Sequence, residues 1–152
     1  MSNSVSELWA RYLKINPDAP VAVPDSYHFC DNQKDADLCA QLVVNGQKRA
    51  TAPSLAELEL GGEPVPQVGD YAVITNWAGA AVAVIETLAV EIMPFGAVDA
   101  EFARAEGEGD GTLEWWKAAH QSYYESVLAG TDYRVDDDLQ IACVTFRAVL
   151  TA

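Results

Sequence analysis

Gly46-Gln47-Lys48-Arg49-Ala50-Thr51 is the stretch on which the reading of this chain turns. Upstream of it Ala36, Cys39, Ala40 and Val43 recur at helical spacing, widened by Leu38 and Leu42, with Asp31 placed as an N-cap. The spacing predicts a helix over 32–45, and Gly46 stands where a left-handed C-cap would end it. That helix delivers two adjacent cations, Lys48 and Arg49, into a loop. In 152 residues there are only nine Lys and Arg against 23 Asp and Glu, a formal net charge of −14. Such a balance repels polyanions at long range and argues against duplex DNA as a partner. It leaves room for a local pocket that holds one base or one phosphate.

Outward from this segment the pattern alternates between helical and extended. Ser4-x-x-Glu7 has capping-box spacing, and Val5, Leu8, Trp9, Tyr12 and Leu13 predict an N-terminal helix over 5–14, ending before Pro17. Residues 16–24 and 53–69, rich in proline, read as an extended connector and a surface loop. The runs 71–76 and 81–92 read as two strands of a hairpin around Trp77-Ala78-Gly79-Ala80, with Met93-Pro94-Phe95-Gly96 breaking the second. A short helix is expected over 98–105 and a longer one over 113–129, capped by Thr112 and closed by Gly130. A last strand covers 139–150. With no repeat or linker, the expectation is one α+β domain over 1–152.

No apolar stretch approaches the ~20 residues that span a bilayer, so no membrane partner is expected. The opening MSNSVSELWARYLK lacks the pattern of a secretory signal, which makes the cytoplasm the expected location. Cys30, Cys39 and Cys143 are an odd number without CxxC spacing and read as buried reduced thiols. Two histidines far apart, with no clustered cysteines, argue against zinc. Serine-hydrolase elbow, Walker loop, dinucleotide fingerprint and HExxH motifs are absent.

Three sets of residues carry chemistry. Lys48 is a nucleophile or general base if desolvation or Arg49 lowers its pKa, and Thr51 offers a hydroxyl to the same pocket. The plain alternative is a solvated Lys-Arg pair. Glu106, Glu108 and Asp110 alternate with glycines, so an extended loop would aim all three at one point. They read as an acid/base partner for Lys48, as a site for a divalent cation such as Mg²⁺ or Mn²⁺, or as a solvated acidic turn. Tyr27, His28, Phe29, Trp77, Trp115, Trp116, His120, Tyr123 and Tyr124 supply stacking faces and donors for a base. Trp116, His120 and Tyr123 equally suit a core-facing stripe of the long helix.

In this order the sequence resembles the ASCH domain family, in its longer bacterial branch. The resemblance rests on Tyr27-His28-Phe29-Cys30-Asp31, the helix from Ala36 to Val43, and Gly46-x-Lys48-x-Ala50-Thr51. It continues through Pro66-x-x-Gly69-Asp70, Pro94-Phe95, Glu106-Gly107-Glu108-Gly109-Asp110, Trp116-Lys117-x-x-His120 and Cys143-x-x-Phe146. It implies a small PUA-like β-barrel of mixed sheet, flanked by three to four helices, with a cleft floored by the Lys48 segment. It also implies a link to RNA. Some members resemble single-strand ribonucleases, and a shorter branch hydrolyses the amide of N4-acetylcytidine with a Lys, a Thr and a Glu. Lys48 and Thr51 match the first two. Glu106 is the choice for the third, with Glu108 in reserve. The family's terminal arginine is replaced here by Pro53, so that an anion contact is either lost or supplied by Arg49 instead, and Tyr27 stands where Trp is common.

The leading expectation is a ribonuclease acting on single-stranded RNA. Tyr27 or Trp116 would stack a base, Lys48 and Arg49 would hold the phosphate, and His28, His120 and Tyr123 would line the site. Glu106, or a metal it binds, would manage the proton, with no cofactor otherwise required. The alternatives are an amidohydrolase of N4-acylated cytidine nucleosides and a module that only binds RNA or a modified base. A monomer or homodimer is expected.

Overall fold

The computed structural model describes residues 3–152. Its elements, in chain order, are α1 (Ser4–Ile15), β1 (Ser26–Tyr27), α2 (Gln33–Val44), β2 (Ala50–Thr51), α3 (Leu55–Leu60), β3 (Tyr71–Thr75), β4 (Ala81–Pro94), α4 (Ala100–Glu106), α5 (Leu113–Val127) and β5 (Gln140–Thr151). The strands form one sheet in the order β1-β3-β4-β5-β2. β1 runs parallel to β3 and every other pair is antiparallel, so the sheet is mixed, as the α+β reading requires. The edge strands β1 and β2 do not pair with each other, so the sheet is open and not a closed barrel. No described helix is long and apolar enough to cross a membrane.

The backbone of the sheet is the long pairing of β4 with β5, which runs from Ala83↔Thr151 to Pro94↔Gln140 with register shifts at Val84/Ile85 and Thr87/Ala89. Alternation along β3 and β4 sends neighbouring side chains to opposite faces. Val73 and Val84 meet Leu8, Trp9 and Tyr12 of α1, whereas Ile74, Ala83 and Ile85 meet Cys39 and Val43 of α2. A third cluster gathers α4 and α5 on β5, with Phe95, Trp116, Tyr124 and Ile141 at its centre.

Local signals explain most boundaries. α1 starts one residue before the expected position because Asn3, not Ser4, caps it: the Ser6 amide donates to Asn3 Oδ1 at 3.2 Å. Ser4 Oγ instead accepts the Ala81 amide at 2.9 Å, tying α1 to the start of β4. α2 is capped by Asn32 rather than Asp31. The expected loop 53–69 contains α3, which the capping box Ser54-Leu55-Ala56-Glu57 announces: the Glu57 amide donates to Ser54 Oγ and the Ser54 amide to Glu57 Oε1. With it the described residues hold five α-helices.

Trp9 anchors α1. It is 1% exposed, its ring 5.4 Å from both Tyr12 and Tyr71. Truncating a buried aromatic leaves a cavity that a β-sheet on one side cannot collapse, a loss of roughly 3–5 kcal/mol. Trp9→Ala is therefore expected to lower the denaturant midpoint by that free energy with an unchanged slope. A loss below about 1 kcal/mol would mean that α1 is dispensable to the sheet.

Candidate active site

The segment after α2 is pinned from both sides, and that pinning decides which cation goes inward. The Lys48 amide donates back to Leu42 O at 2.9 Å, the Arg49 amide to Ala105 O at 2.7 Å, and the Phe146 amide to Arg49 O at 2.9 Å. Lys48 is thereby turned under α4 and is 2% exposed, whereas Arg49 points outward. The Lys48 ammonium has three protons to donate and three acceptors around it: Glu106 Oε2 at 2.5 Å, Glu108 Oε2 at 2.8 Å and Ala50 O at 2.9 Å. The Phe29 ring closes the remaining side, its centroid 4.8 Å from Nζ. Burial alone would pull the Lys48 pKa down, but the Glu106 and Glu108 carboxylates more than offset it and hold the group ionised.

Two glycines bring those carboxylates in. Gly107, at φ +71°, ends α4, and a Cβ there would lie 2.3 Å from the Gln47 carbonyl oxygen. Gln47 Nε2 in turn donates to Gly107 O at 2.8 Å. Gly109, at φ +59°, lies flat on the Trp115 ring, where a Cβ would be 2.1 Å from the ring carbons. The backbone can follow the Lys48 segment only without side chains at these two positions.

His120 of α5 completes the cluster. Its Nδ1 lies 2.9 Å from Trp116 O, and a carbonyl only accepts, so Nδ1 carries a proton. Its Nε2 faces Glu106 Oε1 at 3.2 Å without the alignment of a hydrogen bond, a charge contact that favours the protonated ring. Burial lowers the His120 pKa, yet the contact with Glu106 outweighs it and the pKa is raised. Burial likewise would raise Glu106, but Lys48 and His120 hold its carboxyl well below the usual range. The 3.2 Å contact is poorly directed, leaving Glu106 Oε1 without a well-aligned donor, so the attraction there is mainly charge on charge. With His120 protonated, two cations and two anions make the cluster neutral.

The cluster forms the floor of a cleft of about 1250 Å³. Tyr27, His28, Thr51 and Tyr123 line it with Lys48, Glu106, Glu108 and His120, so eight of the expected positions converge. Tyr27 is 40% exposed, and the Tyr123 hydroxyl donates to Glu57 Oε2 at 3.0 Å. Three expectations need correction. Arg49 lies in a separate pocket of about 490 Å³ with Arg104 and Asp110, because the Ala105 and Phe146 bonds fix its backbone with the side chain turned away from Lys48. Asp110 does not join the other two carboxylates: it accepts the Thr112 amide at 2.9 Å and hydroxyl at 2.6 Å in the turn that starts α5. Trp116 is 1% exposed, packed against Phe95 and stacked on His120 with ring centroids 4.0 Å apart, so it supports the site from beneath. The cation position between Glu106 and Glu108 is held by the Lys48 ammonium itself.

Trp115, one residue before Trp116, is the indole that lines the cleft. Helical phase separates the two, but no sequence signal says which side of α5 meets the core. Cys30 and Cys39 also meet at the cleft, their sulfurs 3.5 Å apart, and Cys39 donates to Glu108 Oε1 at 3.3 Å. A spacing of nine residues across a helix start carries no motif that would announce this.

Residues 25–150 match the family model of the ASCH domain. The chain belongs to the ASCH domain family. A structure from Enterococcus faecalis superposes with a TM-score of 0.88 at 31% identity, covering 99% of this chain and 91% of that one. The ASCH domain from Lactobacillus crispatus gives 0.87 at 29% identity, with 100% and 97% covered. A mutant form of ZmASCH from Zymomonas mobilis, at 12% identity and a TM-score of 0.50 over 84% of this chain and 68% of that one, shares the fold alone. No curated protein matches the sequence.

Two outcomes follow from the geometry of this ASCH domain. Gly107→Ala places a methyl against the Gln47 carbonyl at a positive φ, so it is expected to lower stability by more than about 1 kcal/mol and to part the acidic loop from Lys48. Denaturant unfolding with a structure of the variant checks this, and a variant of wild-type stability would contradict it. His120 has a folded pKa above its unfolded value near 6.5, so its contribution is complete below about pH 6.5 and fades as pH rises through the folded value. His120→Gln should cost roughly 1–3 kcal/mol at low pH, and the gap to wild type should close as pH rises. A gap that stays flat from about pH 5 to 9 would show His120 to be neutral.

Proposed function

We propose that this domain hydrolyses the amide of a small N-acylated nucleoside of the N4-acetylcytidine type. The observation that carries this reading is the charge of the cleft. Eight of its lining residues are Asp or Glu, and Lys48 is the one Lys or Arg among them, already satisfied by two carboxylates. A phosphodiester brings a negative charge with every nucleotide into a cavity with no free cation, which disfavours the ribonuclease reading. A neutral nucleoside meets no such barrier.

The chemistry suits that substrate. The Thr51 hydroxyl stands on the cleft as a donor for the amide oxygen, where negative charge grows in the transition state, and Lys48, its three protons held by Glu106, Glu108 and Ala50 O, fixes the carboxylates beside it. Glu108, the more accessible of the two carboxylates at 19% side-chain exposure against 2%, takes a proton from water as it attacks the carbonyl carbon. As the C–N bond breaks, Glu108 passes that proton to the leaving amine, so the products are the acid and the free amine, with Lys48 holding the carboxylate at 2.8 Å. Glu106 keeps Lys48 in place and ionised, and His120 holds Glu106 from the other side. Tyr27, His28 and Trp115 offer faces for the base.

The test is turnover of N4-acetylcytidine by wild type, Lys48→Met and Glu108→Gln, with a labelled single-stranded RNA in parallel. Deacetylation that falls about 10²–10⁴-fold in either variant, with the RNA untouched, is expected. Cleavage of RNA alone would return the site to the ribonuclease reading, and saturable binding without product would make it a recognition module.

A further inference from the structure

We infer that Cys30, Cys39 and Glu108 form a zinc-binding site on the wall of the cleft, with one coordination position left to solvent or ligand. The site shares Glu108 with the proposed hydrolysis, so it is tested by metal binding to the resting protein and not by turnover.

The ligand atoms are already gathered. Cys30 Sγ, Cys39 Sγ and a Glu108 carboxylate oxygen all lie within 4.8 Å of one another. The thiol sulfurs are 3.5 Å apart, and Cys39 Sγ lies 3.3 Å from Glu108 Oε1. Around a tetrahedral zinc with bonds of ~2.3 Å to sulfur and ~2.0 Å to oxygen, the corresponding edges are ~3.8 and ~3.5 Å. The two edges that meet at Cys39 fall a few tenths of an ångström short of these and the third, from Cys30 to Glu108, is within 4.8 Å, so a zinc ion enters by side-chain adjustment of the three ligands.

The backbone at Cys30 supports a role for its sulfur. Cys30, at φ +66°, is the one non-glycine with a positive φ among the described residues. That conformation disfavours a side chain, and glycine would adopt it without cost. Its Cβ is tolerated where it carries Sγ to the Cys39 thiol.

Donor chemistry selects the metal. Two thiolates with one carboxylate suit borderline-soft zinc and not magnesium, which prefers an oxygen shell. Two thiolates, one carboxylate and Zn²⁺ sum to a single negative charge, and the Lys48 ammonium is 2.8 Å from the other oxygen of the same carboxylate. Glu108 can therefore hold zinc through Oε1 and keep Lys48 on Oε2. All three ligands line the cleft, which leaves the fourth position to water or to a cleft ligand. Binding must also release the thiol protons, so affinity rises with pH.

The experiment uses the full chain, reduced and stripped of metal, titrated with zinc against a chromophoric chelator and with cobalt(II) as a spectroscopic probe. One equivalent of zinc, a thiolate-to-cobalt charge-transfer band and a raised Tm are expected. Cys39→Ser and Cys30→Gly should each weaken zinc by at least about 100-fold, and Cys143→Ala should not. Glycine suits the backbone at position 30, so that variant keeps the fold and separates lost ligation from lost structure. Binding unchanged in these variants, a cobalt spectrum without the thiolate band, or no zinc bound at micromolar concentration would overturn the assignment. So would loss of both thiols to a Cys30–Cys39 disulfide in air while zinc is present.

Discussion

A buried ammonium is costly to hold in a protein interior, and around Lys48 the fold supplies what that charge requires. Removing it from water costs several kcal/mol, recovered only where counter-charges and hydrogen bonds are well placed. Here Glu106 and Glu108 arrive from the end of α4, His120 from α5, the Ala50 carbonyl from β2 and the Phe29 face from the segment after β1. These elements lie far apart in the chain, and each must be in position for the others to be tolerable. Taking away one carboxylate would leave a poorly compensated charge, a penalty of roughly 3–5 kcal/mol in comparable buried pairs. The cluster therefore ties the helical layer of α4 and α5 to the strand edge at β2 more specifically than apolar packing alone.

The acidic surface and the buried cation belong to one electrostatic design. At −14 the molecule's long-range field repels polyanions, and carboxylates continue that field into the cleft. Lys48 does not reverse it, since its charge is spent on Glu106 and Glu108 at short range. What remains accessible is a set of directed donors and acceptors in a field of negative sign. The proposed preference for a neutral base over an anionic backbone rests on this field. Arg49 and Arg104, the cations nearby, stand in a different pocket on the far side of the glycine loop.

Periodicity and capping residues made the helices and the β3–β4 hairpin legible, because these are decided within a few residues. α3 was equally legible in principle, since Ser54 and Glu57 form a capping box, but the surrounding prolines and glycines read as loop. The mixed sheet came from family resemblance, and pattern alone does not say that it stays open. Within the site, Lys48, Thr51 and Glu106 stood out through their motif. Which of Lys48 and Arg49 turns inward was not readable, because it depends on bonds to Ala105 and Phe146, distant in sequence. The same holds for Trp115 and Trp116, whose roles are set by where α5 lands on β5. Alternation of Glu, Gly and Asp suggested three convergent carboxylates, but Thr112 captures the third for the helix start.

Glu108 is the point where two kinds of chemistry meet. One of its oxygens accepts from Lys48 and the other from Cys39, which touches Cys30. Any change on the sulfur side, whether loss of the thiol proton or arrival of a cation, alters how strongly that carboxylate attracts Lys48. On the other side, Glu106 is shared between Lys48 and His120, so a proton lost from His120 leaves excess negative charge that Lys48 must balance alone. Lys48 thus sits between two carboxylates that each report a different titratable neighbour. The ammonium stays ionised when a proton is lost on either side, because each loss leaves more negative charge around it. What varies is the balance of charge around the two carboxylates, and in a cleft floored by them that balance is what an incoming ligand meets.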